Sequence, residues 1–441
     1  MSDQPAVRPT PVSGFPEWLP HVRLIELRWL DTIRAAFERY GFCSVETPSA
    51  ERLDVLLSKG DTSKEVYTLG RLHEPDEEPT RDSTRDSTRD DTRLGLRFDL
   101  TVPLARYTAQ HFNDLVFPFK RYQIQRVWRG ERPQDGRFRE FTQCDIDVIN
   151  PDTVPIHFDA ELPRIVHEVL TSLGLPAWTV NVNNRKVLQG FYEGLGITQP
   201  LDVIRAVDKI DKIGADGVAR VLADRLDPSQ LRSVLRLAQL RGGPAEVREL
   251  GVRSPLLDEG LEELDFVLRE LCDLPNVVAD FSIARGLDYY TGTVYEGKFV
   301  DWPEYGAICS GGRYDDLAGS FIRRELPGVG MSIGFSRIFA KMLSAGLLDP
   351  GPSSPADVLV VLPKDRRPAA TSTAKILRDR GLNVELYHQE DKVAKQLRYA
   401  SRKGIPFVWF PPFEDGRPHE VKDLSTGAQT TADPTAWSRH P

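Results

Sequence analysis

Five arginines lie within fourteen residues of this chain: Arg126, Arg129, Arg132, Arg137 and Arg139. Planar guanidinium groups form paired hydrogen bonds with phosphate or carboxylate oxygens, so such a cluster suits an anionic ligand. The alternative is a solvated surface on which these cations pair with neighbouring acids at little gain in stability. Spacing alone does not separate the two interpretations.

The segment that carries these arginines, residues 117–150, predicts two β-strands joined by a turn at 132–136. Aromatic and β-branched residues enrich both arms, and Asp135-Gly136 is a typical turn pair. Because side chains alternate along a strand, Arg129 and Glu131 share one face of the first arm. One face of the second arm carries Arg139, Phe141, Gln143, Asp145 and Asp147. A strand face with this many charges is either solvated or the floor of a binding site.

Length and composition indicate a globular protein of two or three domains, with 441 residues, 40% hydrophobic and 28% charged. No apolar run approaches the roughly 18 residues of a membrane span, and the N-terminus does not resemble a secretory signal. We therefore expect a cytoplasmic protein without a membrane partner. The cysteines, Cys43, Cys144, Cys272 and Cys309, are widely spaced, which favours reduced thiols over a metal site.

The net charge of −8 argues against extensive coating of nucleic acid, and no DNA partner is expected. Residues 356–441 hold 14 basic and 11 acidic residues and are therefore +3, which leaves −11 for the preceding part. This asymmetry permits contact with RNA at the C-terminal end.

Residues 80–93, TRDSTRDSTRDDTR, form a four-residue repeat without an apolar side chain, so we expect a mobile loop. An arm that contacts RNA is the alternative, but the equal number of Asp and Arg residues disfavours it.

Several other segments have recognisable periodicity. Apolar residues from Val22 to Tyr40 recur at helical spacing, and a strand is expected from Phe42 to Pro48. Leu96–Pro103 has strand character and precedes a helix at Leu104–Gln110, where Asp99 and Thr101 could simply cap the helix. The interval 185–275 is mostly helical. Residues 350–355 predict a linker, and the alternation of strands and helices beyond it predicts an α/β domain with parallel pairing.

Four longer segments carry a resemblance to a known family. Arg129–Pro133 followed by Phe138–Gln143 resembles motif 2 of class II aminoacyl-tRNA synthetases, in the form found in histidyl-tRNA synthetases. Arg285–Gly292 resembles the first histidine-specific signature of that family, and Ser310–Asp315 resembles the second. Gly328–Arg337 is similar to motif 3, although Ser336 stands where the family more often has an acidic residue. The resemblance covers nearly the whole chain except residues 71–93 and about the first fifteen.

The resemblance implies an α/β architecture whose catalytic domain is built on a class II antiparallel sheet. Residues 1–184 would contain motifs 1 and 2, 185–275 a helical insertion near the acceptor stem, and 276–349 the rest of the catalytic domain. Residues 356–441 would form the anticodon-binding domain. The helix and strand of motif 1 imply a homodimer.

The implied reaction activates L-histidine with ATP and transfers it to tRNA(His). By position in the motifs, Arg129 and Arg285 would be catalytic. Arg129 would bind the α-phosphate and the histidine carboxylate, and Arg285 would approach the same phosphate from the other side. Phe141 and Arg337 would enclose the adenine ring, and Glu131 would bind either the adenine amino group or Mg²⁺ carried by ATP. No metal site made only of protein ligands is expected.

The family pattern also assigns the histidine-binding residues: Asp99, Leu100, Thr101, Arg129, Gln143, Asp147, Arg285, Tyr289 and Tyr290. Asp99, Thr101 and Gln143 would hold the ammonium group, and the DLT sequence of this segment is like that of eukaryotic-type members. Asp147 and Tyr290 would bind the imidazole. Many relatives have Glu at position 147, so the side chain here is one methylene shorter.

Two alternatives of other classes stay open on sequence. A regulatory subunit of ATP phosphoribosyltransferase keeps a similar fold without charging tRNA, but such proteins usually lack the anticodon domain and the ATP-binding arginines. A synthetase-like factor could also activate an amino acid for another acceptor.

Overall fold

The computed structural model describes residues 9–58, 65–70, 93–284, 290–316, 318–319, 321–349, 351–414 and 416–439. The repeat at 80–93, except Arg93, and the predicted site residues Arg285 and Tyr289 lie outside these ranges. The structure divides into two compact units, Met1–Pro16 with Leu30–Ala345 and Glu17–Trp29 with Gly346–Pro441. Helix α1, Pro20–Arg39, belongs partly to each unit. Among the described helices, none is both long and apolar enough to cross a membrane.

The first unit is organised around an eight-stranded sheet. Its strands are β1 (Cys43–Ser44), β5 (Phe119–Trp128), β6 (Glu140–Ile149), β7 (Trp178–Asn184), β8 (Val277–Ala279), β9 (Thr293–Phe299), β10 (Cys309–Tyr314) and β11 (Gly328–Ile333). Their order is β1-β5-β6-β11-β10-β9-β7-β8. The inner pairs are antiparallel, and only the edge pairs β1·β5 and β7·β8 are parallel. The predicted antiparallel-sheet catalytic domain is confirmed.

The hairpin of β5 and β6 has the predicted strands, and its turn lies where Asp135-Gly136 was expected, with Gly136 at φ +66°. Along β6 the even-numbered residues Cys144, Ile146 and Val148 are fully buried in the core. The odd-numbered residues from Phe141 to Asp147 therefore project from the other face, as alternation predicts.

A smaller sheet consists of β2 (Ala50–Arg52), β3 (Tyr67–Leu69) and β4 (Leu94–Leu96). Helix α2 (Leu53–Leu56) packs against this sheet and against helix α3 (Thr101–Gln110). Helix α3 begins three residues earlier than expected. The Asp99 Oδ1 atom accepts a hydrogen bond from Val102 N–H at 3.1 Å, which satisfies one of the unpaired donors of the first turn.

The remaining helices of the first unit are α4 (His157–Ser172), α5 (Arg185–Gly194), α6 (Pro200–Val207), α7 (Ile210–Leu222), α8 (Pro228–Gln239), α9 (Pro244–Arg248), α10 (Pro255–Glu270) and α11 (Phe335–Ser344). Helices α5 to α10 occupy the interval predicted to be helical. Asp227 caps α8 in a capping box with Gln230.

The second unit has a five-stranded sheet in the order β13-β12-β14-β15-β16. Its elements are β12 (Val358–Val360), α12 (Arg367–Asp379), β13 (Val384–Leu386), α13 (Val393–Lys403), β14 (Phe407–Phe410), β15 (Glu420–Asp423) and β16 (Gln429–Thr431). The first three strands are parallel as predicted, whereas β15 and β16 are antiparallel. The two added antiparallel strands were not predicted: a tight turn after Asp423, with Gly427 at φ +77°, joins β15 to β16 directly.

Candidate active site

Two adjoining cavities open on the face of the large sheet that carries the odd-numbered residues of β6. The first, which we call the arginine cavity, has a volume of about 330 Å³ and is lined by Arg129, Glu131, Arg137, Phe141, Ile308, Cys309 and Arg337, among others. The second, the carboxylate cavity, has a volume of about 140 Å³ and is lined by Asp99, Thr101, Asp145, Asp147, Tyr290, Tyr314 and Met331, among others. Arg129, Gln143, Ser310 and Ser332 line both. A ligand in one cavity would therefore meet a ligand in the other beside Arg129.

Arg129 is held between the two cavities by contacts on two sides. Its Nε donates to the Phe98 carbonyl oxygen at 3.0 Å, and its guanidinium lies 5.2 Å from the centre of the Phe141 ring. Glu131 lies on the same wall, 3.9 Å from Arg137. The wall thus offers an aromatic face, two cations and one carboxylate to a ligand.

Arg337, which also lines the arginine cavity, is held in place by Tyr305, a residue to which the sequence assigned no role. The guanidinium lies 4.9 Å from the centre of the Tyr305 ring and donates to the Tyr305 carbonyl oxygen. The Tyr305 hydroxyl in turn donates to the Arg337 carbonyl oxygen at 2.7 Å. A Cβ on Gly136 would lie 2.0 Å from the Tyr305 hydroxyl, so the tip of the β5–β6 hairpin also packs closely against this ring.

Ser336 has a structural role at the position where the family more often has an acidic residue. Its Oγ accepts a hydrogen bond from Thr142 N–H at 2.8 Å, and the side chain is buried. The start of α11 is thereby tied to β6 next to Phe141.

Asp147 lies at the floor of the carboxylate cavity, and both of its oxygens are engaged by the protein. Oδ1 accepts from the Tyr314 hydroxyl at 2.9 Å, and Oδ2 lies 2.6 Å from Arg121 Nη2. Arg121 is fully buried. Burial raises the pKa of Asp147, while Arg121 and Tyr314 oppose the shift.

Arg121 belongs to a continuous row of polar side chains under the cavity, which we call the polar floor: Arg97, Gln125, Gln123, Arg121, Asp147 and Tyr314. Arg97 Nη1 donates to Gln125 Oε1 at 2.9 Å, and Gln123 Nε2 donates to the same oxygen at 2.6 Å. Arg121 Nη1 lies 3.5 Å from Gln123 Oε1. Because Arg97 is almost fully buried, desolvation lowers its pKa to about 10.

Asp145 and Gln143 line the cavity on the same strand face as Asp147. Gln143 Nε2 donates to Ser332 Oγ at 2.9 Å. Asp145 is buried, and desolvation raises its pKa to about 7, an effect that Arg121 and Ser332 reduce.

The predicted residues Asp99, Thr101 and Tyr290 also line the carboxylate cavity. Asp99 combines this position with its cap on α3, so the capping interpretation and the binding interpretation are compatible. Leu100 is fully buried and does not line the cavity. Any role for Leu100 in binding would have to come from its main chain.

Two buried side chains hold the residues that immediately precede position 285. Asn183 Nδ2 donates to the Ile283 carbonyl oxygen at 2.8 Å, and Arg185 Nη1 donates to the Ala284 carbonyl oxygen at 3.3 Å. Both donors come from the end of β7 and the start of α5.

The arrangement suits an anionic ligand in the arginine cavity, beside a small positively charged ligand with hydrogen-bond donors in the carboxylate cavity. In the described part of the chain, no group of three or more His, Cys, Asp or Glu side chains is placed to bind a metal ion. Glu131 would be sufficient to bind Mg²⁺ carried by a nucleotide, because Mg²⁺ usually takes only one or two protein carboxylates together with phosphate oxygens.

Comparison with known proteins decides between the possible families. A family model described as histidyl-tRNA synthetase matches residues 14–338, and a model of the anticodon binding domain matches residues 357–430. The chain belongs to the histidyl-tRNA synthetase family. As a member of that family it is an aminoacyl-tRNA ligase.

Individual relatives agree with the family match along the whole chain. The chain is 66% identical to the histidine–tRNA ligase of Thermobifida fusca (strain YX), over 99% of this chain and 100% of the relative. It is 45% identical to that of Micrococcus luteus, over 98% and 96% of the two chains. The crystal structure of histidyl-tRNA synthetase from Nostoc sp. PCC 7120 superposes with a TM-score of 0.84 at 36% identity and covers 97% of each chain. The resemblance first seen in the sequence motifs is thus confirmed.

Proposed function

We propose that the protein activates L-histidine with ATP, forming histidyl-adenylate and pyrophosphate, and then transfers the histidyl group to the 3′ end of tRNA(His). The observation that carries this proposal is that the arginine cavity and the carboxylate cavity meet at Arg129. Attack of a carboxylate on a phosphate brings two anions together, so a cation shared by both sites is what the chemistry needs.

In the arginine cavity, ATP would place its adenine ring between Phe141 and Arg337. Phe141 offers an aromatic face, and Arg337 is held in place by Tyr305. Guanidinium and aromatic planes both stack on purine rings. Arg129 would contact the α-phosphate, and Arg285 would act on the same phosphate as the second catalytic cation. Glu131 would bind either the adenine amino group or Mg²⁺, which when present would neutralise phosphate charge.

In the carboxylate cavity, Asp99, Thr101 and Gln143 would hold the ammonium group of histidine. Tyr289 lies in the same signature as Tyr290 and is proposed to contribute to this site. Asp147 and Tyr290 would bind the imidazole, with Tyr314 and Arg121 holding the Asp147 carboxylate in place. A site of buried polar groups rejects ligands that leave those groups unpaired, which favours histidine over amino acids of similar size.

The family also suggests an assembly and a division of labour. We propose a cytoplasmic homodimer, with residues 1–184 and 276–349 as the catalytic domain, 185–275 as an inserted helical domain, and 356–441 as the anticodon-binding domain. The match of residues 357–430 to an anticodon-binding model supports the last assignment and speaks against a regulatory subunit that does not charge tRNA.

Exchange of labelled pyrophosphate into ATP tests the first step, and aminoacylation of tRNA(His) tests the second. Exchange should require histidine and should not occur at a comparable rate with unrelated amino acids. A regulatory subunit would bind histidine without exchange, and a factor for another acceptor would exchange without charging tRNA.

Two matched substitutions on one hairpin examine the role of Arg129. Arg129→Gln should lower the exchange rate by about 10²–10³-fold, the scale for removing one preorganised charge-stabilising group. Arg126→Gln should leave the rate unchanged, because the Arg126 side chain is 59% exposed and pairs with Glu140. Similar losses in both variants would contradict the assignment of Arg129.

A further inference from the structure

Asp145 differs from the other carboxylates of the carboxylate cavity because one of its oxygens is left unsatisfied. The residue is only 3% exposed, lines the cavity, and its Oδ1 has no hydrogen-bond partner. A buried carboxylate oxygen without a donor is unfavourable, since its lost hydration is not replaced. Its position on the cavity wall means that a bound ligand could supply the missing donor.

The neighbouring Asp147 is already satisfied by the protein. Tyr314 donates to one of its oxygens, and Arg121 pairs with the other. Arg121 also lies directly opposite Asp147 in the pairing of β5 with β6. The residue opposite Asp145 on β5 is Gln123, which carries no charge to compensate it.

The charges around Asp145 favour a cation in the cavity. Desolvation is the main cause of its raised pKa, and the negative charges of Asp147 and Asp99 add to it. Arg121 opposes the shift but is shared with Asp147. A cation placed between Asp99 and Asp145 would replace their mutual repulsion by two attractions.

We propose that Asp145 binds the α-ammonium group of the amino-acid substrate together with Asp99, which adds a substrate-binding residue to this site. This inference rests on the proposed function, in which the carboxylate cavity holds histidine. Asp147, held by Tyr314 and Arg121, then faces the imidazole ring, while Asp145 supplies a carboxylate oxygen to the ammonium group. An ammonium group donates three hydrogen bonds, so it can engage Asp145 together with two of the acceptors on Asp99, Thr101 and Gln143.

The proposal is tested with two ligands that share an imidazole ring and differ in the amine. Histamine carries an ammonium group, and 4-ethylimidazole lacks it. Binding of each ligand to the full-length protein is measured by calorimetry at pH 8 for the wild type and for Asp145→Asn. Loss of a charge-assisted hydrogen bond in a buried site should weaken histamine binding by about 10- to 100-fold. Binding of 4-ethylimidazole should change by less than about twofold, since it makes no contact with this carboxylate.

Two controls separate a local effect from a general one. Asp152→Asn makes the same change at an exposed residue just beyond β6, and it should leave both affinities unchanged. ATP binding to Asp145→Asn should equal that of the wild type, which shows that the hairpin is still folded. If ATP binding is lost as well, the side chain is structural and the proposal is wrong.

The remaining outcomes are equally decisive. Equal losses for the two imidazole ligands would place Asp145 at the ring and overturn the assignment to the ammonium group. Unchanged histamine binding in Asp145→Asn would also overturn it. The proposed function is judged separately, by histidine-dependent pyrophosphate exchange in the wild type. A wild type that binds histamine without such exchange would refute the function and leave the comparison at Asp145 valid.

Discussion

Replacement of Asp145 by asparagine should make the ligand-free protein more stable at neutral and alkaline pH. Burial raises the pKa of Asp145 from its ordinary value of 3.8 to about 7. Between these values the folded state binds a proton that the unfolded chain has released, so the stability contributed by this group falls as the pH rises. It is fully present below pH 3.8 and is lost as the pH rises through about 7.

The size of the effect follows from the shift of about 3 pKa units, at roughly 1.4 kcal/mol per unit. The cost of ionising Asp145 should reach about 4 kcal/mol above pH 7, and about 2–3 kcal/mol of it should develop between pH 5 and pH 8. Asparagine has nearly the same shape and does not ionise. The difference in unfolding free energy between variant and wild type should therefore grow by about 2–3 kcal/mol over this interval.

Urea unfolding at pH 5, 6, 7 and 8 measures this difference, because titrations common to both proteins cancel. Hydrogen–deuterium exchange of backbone amides in peptides from β6 reports the stability of the first unit separately from that of the second unit. A constant or shrinking advantage of Asp145→Asn would mean that the carboxylate is not desolvated in the folded protein, and the reasoning would fail.

Three further predictions concern other residues. Arg121→Met should destabilise the first unit by about 3–5 kcal/mol in urea unfolding, because it leaves Asp147 buried without its cation. Adding Asp147→Asn to the same chain should restore part of this loss. Gly330→Ala should raise the KM for histidine by tenfold or more and leave the KM for ATP unchanged, because its Cβ would lie 2.0 Å from Asp147 Oδ1. His419 accepts a hydrogen bond from Trp409 Nε1 at 3.1 Å, and burial lowers the pKa of His419. Its contribution to the stability of the C-terminal unit should therefore be present above pH 6.5 and be lost as the pH falls through the lowered pKa. Tryptophan fluorescence during urea unfolding should show this loss, and His419→Gln should remove it.

Much of the site was predictable because the chemistry is carried by a strand with strict alternation. The row from Phe141 to Asp147 lies on one face in the structure, as counting by twos requires. Short-range periodicity is sufficient here because Cys144, Ile146 and Val148 on the other face of β6 pack into the apolar core, which fixes the side on which the polar row lies.

Other features depend on partners distant in sequence and were not predicted. Tyr305 meets Arg337 across 32 residues, and Tyr314 reaches Asp147 across 167. Arg121 was one of several polar residues on a strand, and nothing local distinguished it as a fully buried cation. Its position opposite Asp147 in the hairpin register was the one available signal, since directly opposed side chains on a strand pair are neighbours. The antiparallel end of the C-terminal sheet was missed because strand direction depends on loop geometry.

The polar floor has a consequence for attempts to alter which amino acid the enzyme accepts. Arg97, Gln123, Gln125 and Arg121 are linked in one row, so enlarging the cavity downward would remove a partner from several buried groups at once. Redesign toward unnatural amino acids should therefore begin at the side walls, where Met331 is apolar and belongs to no such row. A library of variants at the side walls would keep the hydrogen bonds of the polar floor, whereas a library that also varies the polar floor would consist mostly of unfolded variants.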